Sequence, residues 1–96
     1  MDLTTIAHER CEDERGNWLD WALLRYPDGS MEFLETWGIG QAQTGHYTED
    51  VLTQADLHTM LAQDEATIVD EDQLTCGVFR ATLSTGDSVL YLPEGP

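Results

Sequence analysis

The segment Trp18-Leu19-Asp20-Trp21-Ala22-Leu23-Leu24-Arg25-Tyr26-Pro27-Asp28-Gly29-Ser30-Met31-Glu32-Phe33-Leu34-Glu35-Thr36-Trp37 decides the reading of the chain. Two runs rich in aromatic and aliphatic residues flank a Pro-Asp-Gly turn. Proline presets a negative φ, aspartate bonds back to the backbone, and glycine takes a left-handed position. The pattern predicts a β-hairpin of Trp18–Tyr26 with Met31–Trp37. Alternation sets Leu19, Trp21 and Leu23 on one face, and Trp18, Asp20, Ala22, Leu24 and Tyr26 on the other. On the return strand Met31, Phe33 and Trp37 oppose Glu32, Leu34 and Thr36. Neither face is cleanly polar. Such a hairpin is either covered on both sides or offers apolar surface to a partner.

Outward from the hairpin, Leu3 to Cys11 alternates loosely and reads as a first strand. Gly38 to Gly45 reads as a flexible connection, and His46 to Val51 as either a short strand or an extra helical turn. Then Leu52-Thr53-Gln54-Ala55-Asp56-Leu57 carries three helix-start signals. Thr53 is a preferred N-cap, Asp56 sits at the capping-box position, and Leu52 with Leu57 forms a hydrophobic staple. With the stripe Leu57, Met60, Leu61 this predicts a helix over Gln54–Gln63. Ala66–Val69 reads as a short strand ending in a solvated acidic turn, Asp70-Glu71-Asp72. Leu74–Leu83 reads as a strand with a bulge near Gly77, Ser84–Asp87 as a turn, and Ser88–Leu92 as the closing strand. The expected fold class is α+β: an antiparallel sheet of five or six strands, built from two hairpins, with one helix on one face.

The chain has 96 residues, enough for one domain over 1–96 with a single modest core. Its 19 Asp and Glu against 4 Lys and Arg give a net charge of -15, and every base is an arginine. That balance excludes direct nucleic-acid binding through a basic face, and attraction to anionic membranes. The absence of lysine excludes P-loop and Schiff-base chemistry. No apolar window is long enough to span a bilayer, and the N-terminus has no signal-peptide pattern, so a cytoplasmic protein is expected. Cys11 and Cys76 could pair, but two cysteines in such a chain read more readily as free thiols.

Catalytic and metal-binding patterns are weak. His8-x-x-Cys11 has half of a zinc spacing, while His46, His58 and Cys76 are isolated in sequence. Asp70-x-Asp72 lacks the glycine and closing glutamate of a calcium loop. Ser30, Ser84 and Ser88 lie at turns, none in a nucleophile elbow. The expectation is no enzyme, no cofactor and no metal.

The charge is the positive signal. Between Arg25 and Arg80 stand Asp28, Glu32, Glu35, Glu49, Asp50, Asp56, Asp64, Glu65, Asp70, Glu71 and Asp72, with no base among them. Such a segment cannot neutralise itself. Carboxylates at i and i+2 of a strand lie about 6.6 Å apart, close to the span between neighbouring phosphates of one DNA strand. Asp70 with Asp72, and Glu12 with Glu14, have that spacing if extended. In size and charge the chain is similar to the DNA-mimicking anti-CRISPR and anti-restriction inhibitors of phages and mobile elements, and to immunity proteins of nuclease toxins. No motif carries the likeness, so no site residue follows from it. The expected partner is a basic protein surface, that of a nucleic-acid-binding protein or nuclease complex, met by Asp50, Asp56, Asp64, Glu65, Asp70, Glu71 and Asp72. Trp18, Trp21 and Trp37 are candidate interface anchors, through which the chain could also form a homodimer. The competing reading is an accessory module of a salt-adapted proteome, in which acidity is a coat and the Trp-bearing hairpin serves self-association.

Overall fold

The computed structural model describes residues 3–93. Its elements are β1 (Thr4–Glu12), β2 (Asn17–Arg25), β3 (Met31–Ile39), β4 (Ala42–Thr53), α1 (Gln54–Gln63), β5 (Ile68–Gln73), β6 (Phe79–Leu83) and β7 (Ser88–Leu92). All seven strands form one sheet in the order β1-β2-β3-β4-β7-β6-β5. The expected sheet of five or six antiparallel strands is therefore wrong. The sheet is seven-stranded, mixed and strongly curled into a half-barrel. A four-stranded meander leads into α1, and a three-stranded meander returns from the far edge. That return sets β7 beside β4 in parallel, Val51 opposite Leu90. A parallel pair requires a long crossover, here begun by the helix.

Gly38 to Gly45 is not a loop. β3 and β4 continue through it and close on Gly40-Gln41, with Ile39 opposite Ala42. Gly40 has φ +58, the left-handed value that a two-residue hairpin turn asks for at its first position. The other two glycines serve cross-strand rings. Gly38 lies opposite Trp18 and Gly45 opposite Trp37. A Cβ on Gly45 would stand 2.5 Å from the Trp37 ring, so the indole lies flat on bare backbone. Similarly, Asp70-Glu71-Asp72 is not a turn but the body of β5, Asp72 opposite Arg80 on β6. Acids disfavour strands, but ladder pairing overrides that preference.

Residues 74–78, read as strand, instead fold over the sheet. Cys76 (φ +60) and Gly77 (φ +80) both take left-handed backbone there. The Cys76 thiol lies 3.7 Å from the Trp21 carbonyl oxygen on β2. A loop beyond one end of the strand order thus touches the other end, which is possible only because the sheet curls. The concave face holds one core: Leu23, Met31, Phe33, Val51, Cys76, Val78 and Leu90. The outer face holds a second, in which Leu57 of α1 packs against Ala81, Leu83 and Tyr91.

α1 has the bounds that its signals predict, and the Thr53 hydroxyl accepts the Asp56 N–H at 3.0 Å. Its C-terminus breaks a rule. The Ala66 N–H donates to Leu61 O and the Glu65 N–H to Ala62 O, the two bonds of a Schellman motif. The left-handed position of that motif favours glycine, yet Glu65 occupies it with φ +50. Asp64 and Glu65 also lie at the negative end of the helix dipole. Glu65→Gly should therefore raise the unfolding free energy by about 1 kcal/mol, measured by urea denaturation.

Candidate partner-binding surface

The arginines are unevenly placed. Arg10, Arg15 and Arg25 belong to the β1–β2 hairpin, with His8 beside them. On the outer face Arg10 stands 3.5 Å from Asp20 and 3.9 Å from Glu12, its guanidinium 4.6 Å from the centre of the Trp18 ring. His8 Nε2 meets Asp20 Oδ1 at 2.7 Å. From residue 26 to residue 93 there are twelve carboxylates, one arginine, Arg80, and no lysine. Arg80 is already engaged, holding Glu49 through Nη2 at 2.9 Å and Nη1 at 3.3 Å, and Ser88 Oγ at 3.1 Å. Hydrogen bonding to the Glu49 carboxylate raises the guanidinium pKa further. Beyond β2, then, the molecule has little cationic surface of its own.

Its glutamates turn instead to aromatic donors. Trp21 Nε1 donates to Glu35 Oε2 at 2.7 Å, and the Tyr26 hydroxyl to Glu32 at 2.9 Å. Tyr47 donates to Glu49 and Tyr91 to Glu71. Every tyrosine of the chain is thereby bonded to a carboxylate, and each phenol is harder to ionise than usual, chiefly because of that bond. Tyr91, bonded to Glu71 and buried as a member of the outer core, is pushed up to about 12. A tyrosine in the unfolded chain ionises near pH ~10. The folded form keeps its proton longer, so this contribution is complete below that pH and fades as pH climbs toward 12. Absorbance titration of tyrosinate should show one phenol ionising last, and Tyr91→Phe should remove that step. A normal titration of all three would contradict the geometry.

The seven sequence-predicted acids fall into three groups. Asp50 and Asp56 line one cleft of about 400 Å³ beside Gly29 and Ser30 of the β2–β3 turn. Asp64 and Glu65 sit past the other end of α1, roughly 12 Å further along its axis. Asp70, Glu71 and Asp72 run along the edge strand β5, all exposed. Asp70 and Asp72 share a face at the extended spacing, while Glu71 points to the opposite face and reaches Tyr91. Glu12 and Glu14 lack that spacing, because Glu12 ends β1 and Glu14 lies in the following turn.

The three tryptophans do not share a surface. Trp18 is on the outer face and its Nε1 donates to Gly40 O at 3.0 Å. Trp21 and Trp37 are on the concave face, and all three are half-buried. Their main work is to cover strand backbone and to satisfy a carboxylate. Trp18 and Trp37 nevertheless both line the cleft at the hairpin ends, together with Glu12 and Asp13. Leu19 and Ile39, 36% and 56% exposed, join Cys11 and Trp37 around that cleft, of about 490 Å³. The sequence signal for this region is a run from Thr36 to Thr48 containing no Asp, Glu, Lys or Arg, thirteen residues in a chain that is 24% charged.

Cys11 is an exposed free thiol and Cys76 a buried one, whose ionisation burial disfavours. Among the described residues no three His, Cys, Asp or Glu side chains converge to hold a metal ion. Among them, too, no helix is long and apolar enough to cross a membrane. Comparison with protein-family models, characterised proteins and solved structures yields no match.

Proposed function

We propose that the chain is a non-enzymatic, cytoplasmic inhibitor of the DNA-mimic kind. It occupies the basic groove of a nucleic-acid-binding protein or nuclease complex and keeps nucleic acid out. The observation that carries this reading is the twelve-to-one ratio of carboxylates to arginine over residues 26–93, with that arginine tied to Glu49. A surface so lacking in counter-charge gains by meeting another molecule's lysines and arginines. Two features point to β5 and the end of α1 as contact regions. Asp70 and Asp72 repeat along an exposed edge strand at a phosphate-like interval. Glu65 and Asp64 hold positions that cost the helix stability, a pattern more common at functional sites than elsewhere.

The test is inhibition of a candidate nuclease complex by the purified chain, across rising salt and with a triple variant, Asp70→Asn, Glu71→Gln and Asp72→Asn. Inhibition should weaken under both treatments. Potency indifferent to both would remove the proposal. A chain that folds only in molar salt would favour the salt-adapted coat instead.

A further inference from the structure

We infer that the concave trough over β2 and β3 docks an extended segment of a partner protein, with an arginine of that segment seated at Glu35. Two neighbouring clefts make the trough. The cleft of about 490 Å³ has Leu19 and Trp37 in its lining. A second, of about 290 Å³, is lined by Trp21, Phe33, Glu35, Leu74 and Thr75. Leu19 and Trp21 are two residues apart on β2, and so are Glu35 and Trp37 on β3. The clefts therefore follow one another at about 6.6 Å along the strands. Alternate side chains of an extended peptide repeat at the same interval, so one segment can fill both. An aliphatic side chain suits the larger cleft, and the residue two positions away enters the smaller.

The outer face of the sheet shows which side chain that residue carries. There Arg10 lies 4.6 Å over the Trp18 ring and 3.5 Å from Asp20, so an indole beside a carboxylate holds a guanidinium. The concave face repeats the pair. Trp21 Nε1 donates to Glu35 Oε2 at 2.7 Å, which fixes the carboxylate beside the indole. Glu9 stands opposite Trp21 on β1, and Glu12 and Asp13 line the larger cleft. Neither Glu9 nor Glu35 meets an arginine among the described residues. Arg80, opposite Leu90 on the same face, is held by Glu49. Aromatic surface with uncompensated carboxylates favours a cationic occupant over an acidic one, a second copy of this -15 chain included. Arginine suits it better than lysine, because a flat guanidinium stacks on an indole and bonds a carboxylate together. This docking stands apart from the DNA-mimic reading, since it needs only an arginine on an extended segment.

The probe is the capped peptide Ac-Thr-Leu-Thr-Arg-Thr-Leu-Thr-NH2, in which either chain direction sets a leucine two residues from the arginine. It is titrated into the isotope-labelled full chain at about 0.15 M salt, where long-range attraction is screened. NMR should show saturable shifts, largest at the Trp21 indole N–H. Lysine in place of the peptide's arginine should weaken binding about threefold or more, and uncharged citrulline about tenfold. Glu35→Gln keeps an acceptor for the Trp21 N–H and should also weaken binding about tenfold. Circular dichroism checks that this variant folds, and the citrulline peptide tests the same contact on the unaltered chain. The triple variant of Asp70, Glu71 and Asp72 should bind the peptide unchanged while losing inhibition of a nuclease complex, so the two readings fail separately. Absence of a saturable shift up to about 10 mM peptide overturns the inference. So do shifts centred on β5, a citrulline or lysine peptide that binds equally well, or binding indifferent to Glu35→Gln. The same indole shift produced by raising the chain's own concentration would make a second copy the occupant, and overturns it too.

Discussion

Gly38→Ala should unfold much of the population or lower stability by about 3 kcal/mol or more, the upper range for overpacking. The reason is geometric. A Cβ at position 38 would stand 2.0 Å from the Ala42 carbonyl oxygen and 2.7 Å from Cζ2 of Trp18. The oxygen is backbone in a paired strand, so it cannot move aside without parting β3 from β4 at the Ile39–Ala42 closure. The ring could swing away, but only by giving up its hydrogen bond to Gly40 O. Domains of this size are stable by roughly 5–15 kcal/mol in all, so the loss is a large fraction. Gly86→Ala separates steric from conformational cost. Gly86 has φ +96 with nothing within 4 Å of the added carbon, so only backbone strain remains, about 1–2 kcal/mol. Urea unfolding followed by tryptophan fluorescence would rank the two. Equal losses would mean that Trp18 does not rest on Gly38 as described.

The second large effect is kinetic. If the carboxylate-rich side seeks a basic groove, association should be electrostatically steered and fast at low salt. Steered encounters run near 10⁸–10⁹ M⁻¹s⁻¹ against roughly 10⁵–10⁶ without steering. Raising salt shortens the Debye length from about 10 Å at 0.1 M to about 3 Å at 1 M. The on-rate should then fall on the order of a hundredfold, while dissociation changes far less. Neutralising Asp70, Glu71 and Asp72 together should lower the on-rate on the order of tenfold at low salt and have little effect at high salt. Stopped-flow mixing with the target complex measures both. An on-rate flat across salt would show that apolar contacts, not the field, drive the encounter.

Much of the local structure was legible in the residues. Thr53, Asp56 and the Leu57–Met60–Leu61 stripe marked α1, and Pro27-Asp28-Gly29 marked the first hairpin turn, because capping and turn chemistry act over a few residues. The errors all lie where distant partners decide. Gly38 and Gly45 read as loop because a glycine's usual meaning is freedom, and nothing local says that an indole from the facing strand will lie on it. Asp70-Glu71-Asp72 read as a turn because acids are poor strand formers, and only pairing with β6 holds them extended. Leu74 to Val78 alternated like a strand, yet the curl of the sheet draws Cys76 to Trp21 on a strand remote in the order.

The candidate surface divides in the same way. Composition alone established the surplus of acid, the lack of lysine and the base-free interval, because net charge is additive and needs no fold. Which acids stand together, which glutamates are held by tyrosine or tryptophan, and which apolar residues protrude were settled by the tertiary structure. Strand register and sheet curvature assign each side chain to a face and a neighbour. Those assignments arise from contacts between residues far apart in the chain, which no local pattern encodes.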